Sequence, residues 1–279
     1  MKVVVAGASG FIGGSLYSAL KAIGQNVIGV SRQNGSLFEH VSSYAETPDG
    51  DILVFAAEPN SLKDVLESGE QGILHRLQTL EELASRSWSR IIYLSSAVVY
   101  GDTSADPYLT SAGYSPKDAY ASTKIRIEQL LLKNSNSIIL RLTNVYGTGM
   151  SGSNVVSTIL RQAGGPGPIV VQNVDPIRDF IWVDDVIDLI SKIIVDERDA
   201  SAVSNIFNVG TGIGTSIGEL AKIVDLAAGA HDRQVISRVS GSRPSSIVVD
   251  IVDTTSTWGW TPQISLFDGV SSLLRSLDR

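Results

Sequence analysis

The sequence predicts an α/β protein on three observations. Near-continuous apolar runs of strand length recur along it, segments of helical periodicity separate them, and a glycine-rich loop joins the first run to the first helix. Runs without polar alternation suit strands buried on both faces, so the sheet is expected to be parallel, Rossmann-like and flanked by helices. A smaller C-terminal domain is expected to be interleaved with it.

The elements follow in order. Val3 to Ala6 is the first strand, Gly7-Ala-Ser-Gly10-Phe-Ile-Gly13 a tight turn, and the segment through Leu16 and Leu20 the first helix. Val27 to Val30 is a second strand, Val41 to Tyr44 a short third, and Asp51 to Ala57 a buried strand running into a small-residue loop. Leu62 to Ala84 has helical periodicity, with Ser68-Gly69 and Gly72 marking a break. Arg90 to Leu94 is a strand ending in Ser95-Ser96, Tyr120 opens a helix after a polar loop, and Ser137 to Leu142 is another strand.

From Asn144 the texture changes. Glycines from 147 to 152 precede a helix over about 154–162, and Gly164-Gly-Pro-Gly-Pro168 is a turn. Strands are expected at 169–171, 178–181, 205–209, 235–239 and 247–250, with helices at 183–195, 216–228, 254–258 and 266–277. The division expected is 1–145 mainly dinucleotide-binding and 146–279 mainly substrate-binding, with segments about 177–210 returning to the first part.

Composition narrows the function. Twenty-two basic against 29 acidic residues give a net charge of −7, which disfavours an overall electrostatic grip on nucleic acid. With no cysteine there is no disulfide, thiolate nucleophile or Cys-ligated zinc, and the three scattered histidines make a His-rich metal site unexpected. The N-terminus reads as a first strand, not a signal peptide, and no apolar stretch approaches the roughly 18–20 residues of a membrane span. A cytoplasmic address without membrane association is the simplest expectation.

Gly7, Gly10 and Gly13 follow a strand and open a helix, the context in which a glycine loop cradles a pyrophosphate. Residues without Cβ permit the turn and the close approach, and the helix N-terminus supplies free N–H groups. Ser9, Phe11 and Ile12 share that loop and are expected beside the cofactor. The spacing is three and three, not the commoner two and three, and a purely structural turn stays open as the alternative. At the end of the second strand, Ser31-Arg32 stands where an acidic residue would bond an adenosine ribose. A hydroxyl and a guanidinium suit a 2′-phosphate, so NADP(H) is favoured and NAD(H) possible.

Tyr120 and Lys124 lie four residues apart on one helix face. A phenol of pKa about 10 needs a nearby cation to serve as acid or base at neutral pH, and Lys124 is placed to supply it. The Ser95-Ser96 pair could hydrogen-bond a substrate oxygen.

These signals, with Arg141-Leu-Thr-Asn-Val-Tyr-Gly147, Arg178-Asp-Phe-Ile-Trp-Val-Asp-Asp185, Phe207-Asn-Val-Gly210 and Gly259-Trp-Thr-Pro262 in the same order, resemble the extended short-chain dehydrogenase/reductase family of NAD(P)-dependent sugar-nucleotide epimerases, dehydratases and reductases. The resemblance implies Ser96 as the serine on the reacting sugar oxygen, Tyr120 as acid/base, and Lys124 as the lysine that lowers the tyrosine pKa and holds the nicotinamide ribose. It implies Ala56, Ala57, Leu142 and Val145 along the cofactor. Asn144, Arg178 and Arg243 are implied at the diphosphate of a nucleotide-diphosphate sugar, and a homodimer through the 62–84 and Tyr120 helices. Ala97 and Val98 stand where the dehydratases carry an acidic pair, so dehydration loses its carriers. An asparagine of the family's long helix is replaced near Gly69.

The expectation drawn from these residues is reduction of a nucleotide-diphospho-4-keto-6-deoxysugar at C4, with Tyr120 as proton donor. A nucleotide-sugar 4-epimerase with tightly held NAD is the alternative, and a non-catalytic cofactor-binding regulator the third reading.

Overall fold

The computed structural model describes every residue except 35–36, 60–61, 231, 240–244 and 278–279. Arg243 lies outside the described residues. The first part of the chain runs β1 (Val3–Ala6), α1 (Phe11–Ala22), β2 (Val27–Ser31), β3 (Glu39–His40), β4 (Ile52–Phe55), α2 (Leu62–Ala84), β5 (Arg90–Ser96), α3 (Ala119–Leu131), β6 (Ser137–Leu142) and β7 (Asn144–Tyr146). It continues through α4 (Val155–Leu160), β8 (Ile169–Val171), β9 (Ile177–Trp182), α5 (Val183–Val195), β10 (Ile206–Val209) and β11 (Gly214–Ser216). The last elements are α6 (Ile217–Ala227), β12 (Val235–Ser237), β13 (Ser246–Ile247), α7 (Val252–Trp258) and α8 (Leu266–Leu277).

Seven strands form one sheet in the order β10-β6-β5-β4-β1-β2-β3, with every pairing parallel. The order reverses between β1 and β4, so the crevice beyond their C-terminal ends is the place where such sheets bind ligands. The central strands β1 and β4 are wholly apolar because both faces are covered. Val3, Val5, Val54 and Ile92 pack under α1 and α5, whereas Val4, Leu53, Ile91 and Tyr93 pack under α2 and α3. The expected parallel, helix-flanked sheet is the observed one.

A second sheet runs β11-β9-β13, with β7 also paired to β9. Of the stretch 177–210, β9 therefore lies in this second sheet, while α5 and β10 join the first. The third strand expected at Val41 to Tyr44 is instead Glu39–His40. Val41 is buried in the core, and Ser43 caps a 3-10 turn over Tyr44–Glu46 by accepting from the Ala45 N–H. The expected break in α2 is real: Gly69 has φ 60° and ψ −174°, so two helical pieces meet there at an angle only glycine adopts readily.

The sequence motifs beyond β6 hold the two sheets together. Asp179 accepts from the Thr211 N–H and Oγ1 and from the Gly212 N–H. A Cβ on Gly210 would stand 2.4 Å from that carboxylate, which accounts for the glycine. Asp185 accepts from the Gln263 and Ile264 N–H groups, and Trp260 Nε1 donates to the Asp185 carbonyl. Trp258 and Trp260 thereby reach back into the core of the first sheet.

One buried network ties the sheet to α3. Arg141 of β6 donates from Nη2 to Glu128 Oε2 at 2.7 Å and from Nε to both carboxylate oxygens, with the pair almost wholly shut from solvent. Tyr114 and Ser95 also donate to Glu128, while Arg141 Nη1 donates to Tyr100 Oη and the Thr110 carbonyl. Tyr100 passes a hydrogen bond to Asn208 of β10. Removing one partner leaves a buried charge without its counterion. Glu128→Ala is expected to lower the unfolding free energy by about 3–5 kcal/mol in urea titration, and the apolar pair Glu128→Leu with Arg141→Met to recover most of that loss.

Candidate active site

The loop from β1 to α1 fits a pyrophosphate. Gly7 has φ +86°, and a Cβ there would lie 2.7 Å from the Ala56 backbone. A Cβ on Gly13 would approach Gly7 O to 2.3 Å, so α1 packs directly on the loop only because that carbon is missing. Gly10 is the N-cap and supplies no side-chain hydrogen bond. The first-turn N–H groups of α1 consequently keep their capacity for an external anion.

In front of this loop opens a cleft of about 470 Å³. Of the residues expected at the cofactor and substrate, Gly10, Phe11, Ile12, Ala56, Ser96, Tyr120, Lys124, Leu142, Asn144 and Val145 all line it. They come from α1, the β4 end, β5, α3, β6 and β7, which the parallel order brings to one edge. Gly7 and Gly13 act behind the lining by shaping the turn.

The remaining expected residues lie apart. Arg32 and Ala57 line a second cavity of about 490 Å³, which meets the first at Glu58 and Pro59. The Arg32 guanidinium sits over the Tyr44 ring at 5.1 Å. Ser31 is buried; its hydroxyl donates to Ser9 Oγ at 2.8 Å and accepts from the Gln33 N–H. That use of both Ser9 and Ser31 inside the loop follows from burial, since a hydroxyl without a partner there would be costly. Arg178 does not line the main cleft: it donates to the Ile177 and Ser245 carbonyls and to Ser245 Oγ, which in turn donates to Asp102. Asp102 is paired with Lys117.

Ser96, Tyr120 and Lys124, expected to be the catalytic residues, come together in the same cleft. Ser96 Oγ accepts from the Val98 N–H. Lys124 is buried, donates to the Leu94 carbonyl at 2.9 Å, and lies 5.9 Å from the Tyr120 ring centre and 4.9 Å from that of Tyr93. The sequence led us to expect that Lys124 lowers the Tyr120 pKa. In this state burial instead pushes the phenol up to about 12, with Ser96 opposing the rise and Glu58 and Asp118 adding to it. The Lys124 ammonium is itself disfavoured by burial and gives its hydrogen bond to the Leu94 carbonyl. At neutral pH and with the cleft empty Tyr120 is thus protonated and can donate to an oxygen that enters the cleft; accepting a proton requires the phenolate, which a nearby cation favours.

Sequence reasoning missed several lining residues. Met150, Ser151, Ser153 and Asn154 close the cleft on the side of β7 and α4. The glycines from 147 to 152 marked this loop without saying which way it faces. Glu58 also lines the cleft, and the signal for it was present: a lone acidic residue directly after Ala56-Ala57, where an apolar strand delivers its loop to the crevice. Among the described residues no cluster of three or more His, Asp or Glu side chains is placed to hold a metal ion, and no helix is long and apolar enough to cross a membrane.

An anion-receptive glycine turn at the switch point of a parallel sheet, feeding a cleft lined by a serine, a tyrosine and a buried lysine, is the arrangement of a dinucleotide-dependent enzyme of the short-chain type. The chain belongs to the NAD dependent epimerase/dehydratase family, whose sequence model matches residues 3–210. It is 27% identical to a UDP-glucose 4-epimerase of Mycolicibacterium smegmatis over 97% of this chain and 96% of that one. It is 23% identical to a dTDP-4-dehydro-6-deoxyglucose reductase of Escherichia coli over 79% of this chain and 70% of that one. The structure of a UDP-glucose 4-epimerase with UDP-glucose from Thermotoga maritima superimposes with a TM-score of 0.84 at 20% identity, covering 100% and 99% of the two chains. The protein is therefore an enzyme of this NAD-dependent family, with the fold of its sugar-nucleotide members.

Tyr120→Phe removes the transferable proton while keeping the ring. It is expected to lower turnover by at least ~10²–10⁴-fold and to leave dinucleotide affinity, read by isothermal calorimetry, within about threefold. A parallel loss of affinity would show that the tyrosine holds the cofactor in place and does not serve the chemistry.

Proposed function

We propose that the chain is a nucleotide-sugar 4-epimerase that oxidises and re-reduces C4 of a hexose linked to a nucleoside diphosphate. The observation carrying this reading is that Ser96, Tyr120 and the buried Lys124 line one cleft that begins on the glycine loop. Full-length similarity to a 4-epimerase supports it. Gly10 and the first turn of α1 would hold the dinucleotide pyrophosphate, and Ala56, Leu142 and Val145 would line its path to the reactive corner. When bound, the dinucleotide takes up the C4 hydride and returns it.

Within this proposal the chain's own residues manage the proton and the pose. Ser96 orients the C4 oxygen. Tyr120, as phenolate, takes the hydroxyl proton as the C4 hydride leaves, giving a 4-keto sugar and a neutral phenol. Once the keto sugar has turned, Tyr120 gives the proton back to the same oxygen as hydride returns to the opposite face. No net redox change results. Lys124 steadies the phenolate when the sugar and cofactor fill the cleft, and Asn144 is placed toward the sugar or diphosphate. Arg178 reaches the diphosphate only by exchanging its bonds to Ser245, since its guanidinium is occupied. Exposed Leu62, Leu66 and Leu74 on α2 support a homodimer through α2 and α3.

A second reading, reduction of a nucleotide-diphospho-4-keto-6-deoxysugar with NADPH, is favoured by one observation. Arg32 is exposed at the end of β2 with no acidic residue in the ribose position. The engagement of Ser31 with Ser9 leaves that arginine to bind a 2′-phosphate alone.

Purified protein incubated with UDP-hexoses, and separately with NADPH and TDP-, GDP- or UDP-linked 4-keto-6-deoxyhexoses, separates the readings. Conversion of a UDP-hexose to its C4 epimer without accumulation of reduced nicotinamide is the expected result. Stoichiometric NADPH oxidation with one keto sugar and no epimer would replace it with the reductase. For the cofactor, Arg32→Ser is expected to weaken NADP(H) binding ~10-fold or more, the usual worth of a charge-assisted hydrogen bond, and to leave NAD(H) binding unchanged. Equal effects on both would show that Arg32 serves Tyr44 and not a phosphate.

A further inference from the structure

The second cavity, of about 490 Å³, lies where the glycine loop directs the far end of a dinucleotide. Gly10 marks the pyrophosphate and Tyr120 the nicotinamide end of the main cleft, so the adenosine runs the other way, over the ends of β1 and β2. Arg32 and Ala57 follow β2 and β4, the two neighbours of β1, and both line this cavity. It joins the main cleft at Glu58 and Pro59. Ser31 is engaged with Ser9, so the end of β2 offers one guanidinium and no hydroxyl.

A second guanidinium comes from α2. Arg76 lines the same cavity, donates from Nη2 to Ser68 Oγ at 2.8 Å, and keeps its Nε shut from solvent with no acceptor. The break at Gly69 sets this up: it turns Ser68 over Gly72, where an added Cβ would stand 2.6 Å from the Ser68 Cβ, so the hydroxyl meets Arg76 eight residues on. A buried donor without an acceptor is costly, and here it borders a cavity wide enough to bring one. Glu58 Oε1, in the same lining, is likewise without a partner, so the two groups do not satisfy each other. Burial draws the Glu58 carboxyl toward its neutral form, against the pull of Lys124, Arg76 and Arg32, and a neutral carboxyl donates to an anion. Asp64 and His75 are the other titratable groups of the lining.

We propose that this cavity seats the adenosine 2′-phosphate of NADP(H), held by Arg32 from the end of β2 and by Arg76 from α2, which makes Arg76 a second residue that selects the cofactor. Selection of this kind goes beyond the sugar chemistry and rests only on the dinucleotide reading of the glycine loop, for an epimerase and a reductase alike. Two guanidiniums suit a phosphomonoester because each keeps its charge and gives directed donors. A bare 2′-hydroxyl offers the same pair one oxygen and no charge.

The test is titration calorimetry on the full chain with 5′-ADP, 2′,5′-ADP and inorganic phosphate. Wild type is expected to bind 2′,5′-ADP ~100-fold tighter than 5′-ADP, at roughly tenfold for each guanidinium. Arg76→Met, which keeps the length and loses the charge, and Arg76→Gln as a second variant are expected to cut that preference ~10-fold and to leave 5′-ADP binding as it was. No preference in wild type, an unchanged preference in both variants, or an equal loss with both nucleotides would overturn the proposal. Loss of inorganic phosphate binding in Arg76→Met with both nucleotides unaffected would reassign the cavity to a free anion. Binding of 5′-ADP without preference sinks the proposal alone, whereas failure of wild type to bind either nucleotide removes the dinucleotide reading and the proposal with it.

Discussion

The buried ion pair between Arg141 and Glu128 is the constraint on which the reactive corner depends. Its two members sit on β6 and α3, and the groups it gathers come from β5, from the turn after it, from the 110–114 loop and, through Tyr100, from β10. Glu128 lies one helical turn beyond Lys124, itself one turn beyond Tyr120, so fixing Glu128 fixes the rotation of α3. Ser95, which donates to the same carboxylate, is the immediate neighbour of Ser96. A single buried charge pair thus sets both the helix carrying the tyrosine and the strand end carrying its serine. Isolated in an apolar interior such a pair contributes little net stability. Its value here is register.

Much of this was legible in the sequence because the information is local. Apolar runs such as Ile52–Phe55 and Arg90–Leu94 name the buried strands, the glycine turn names the switch point, and the spacing of Tyr120 and Lys124 puts them on one face. The break at Gly69 could be read from glycine alone. The short β3 could not: two exposed residues, Glu39 and His40, carry no apolar pattern, and the buried Val41 drew the expectation past them.

The site was legible where a strand or helix end delivers a residue to the crevice, and illegible where tertiary contacts redirect one. Ser31 has the right chemistry for a phosphate, yet Ser9 from another loop claims its hydroxyl. Arg178 is engaged by Ser245, far along the chain. The Tyr120 pKa depends on how deeply the phenol is buried and on which way the Lys124 ammonium turns, and neither is written in their spacing.

The return of Trp258 and Trp260 to the first sheet has a consequence for the order of assembly. The sheet that presents the glycine turn is complete in strands only with β10, and Trp258 and Trp260 are part of the core on its α5 face. The early strands thus take part of their cover from residues as late as Trp260, and the first half of the chain shares its core with the last. Chain interleaving makes the tail a structural member of the half that is made first, so a premature stop in the last part of the gene would leave an apolar surface for chaperones and proteases to find.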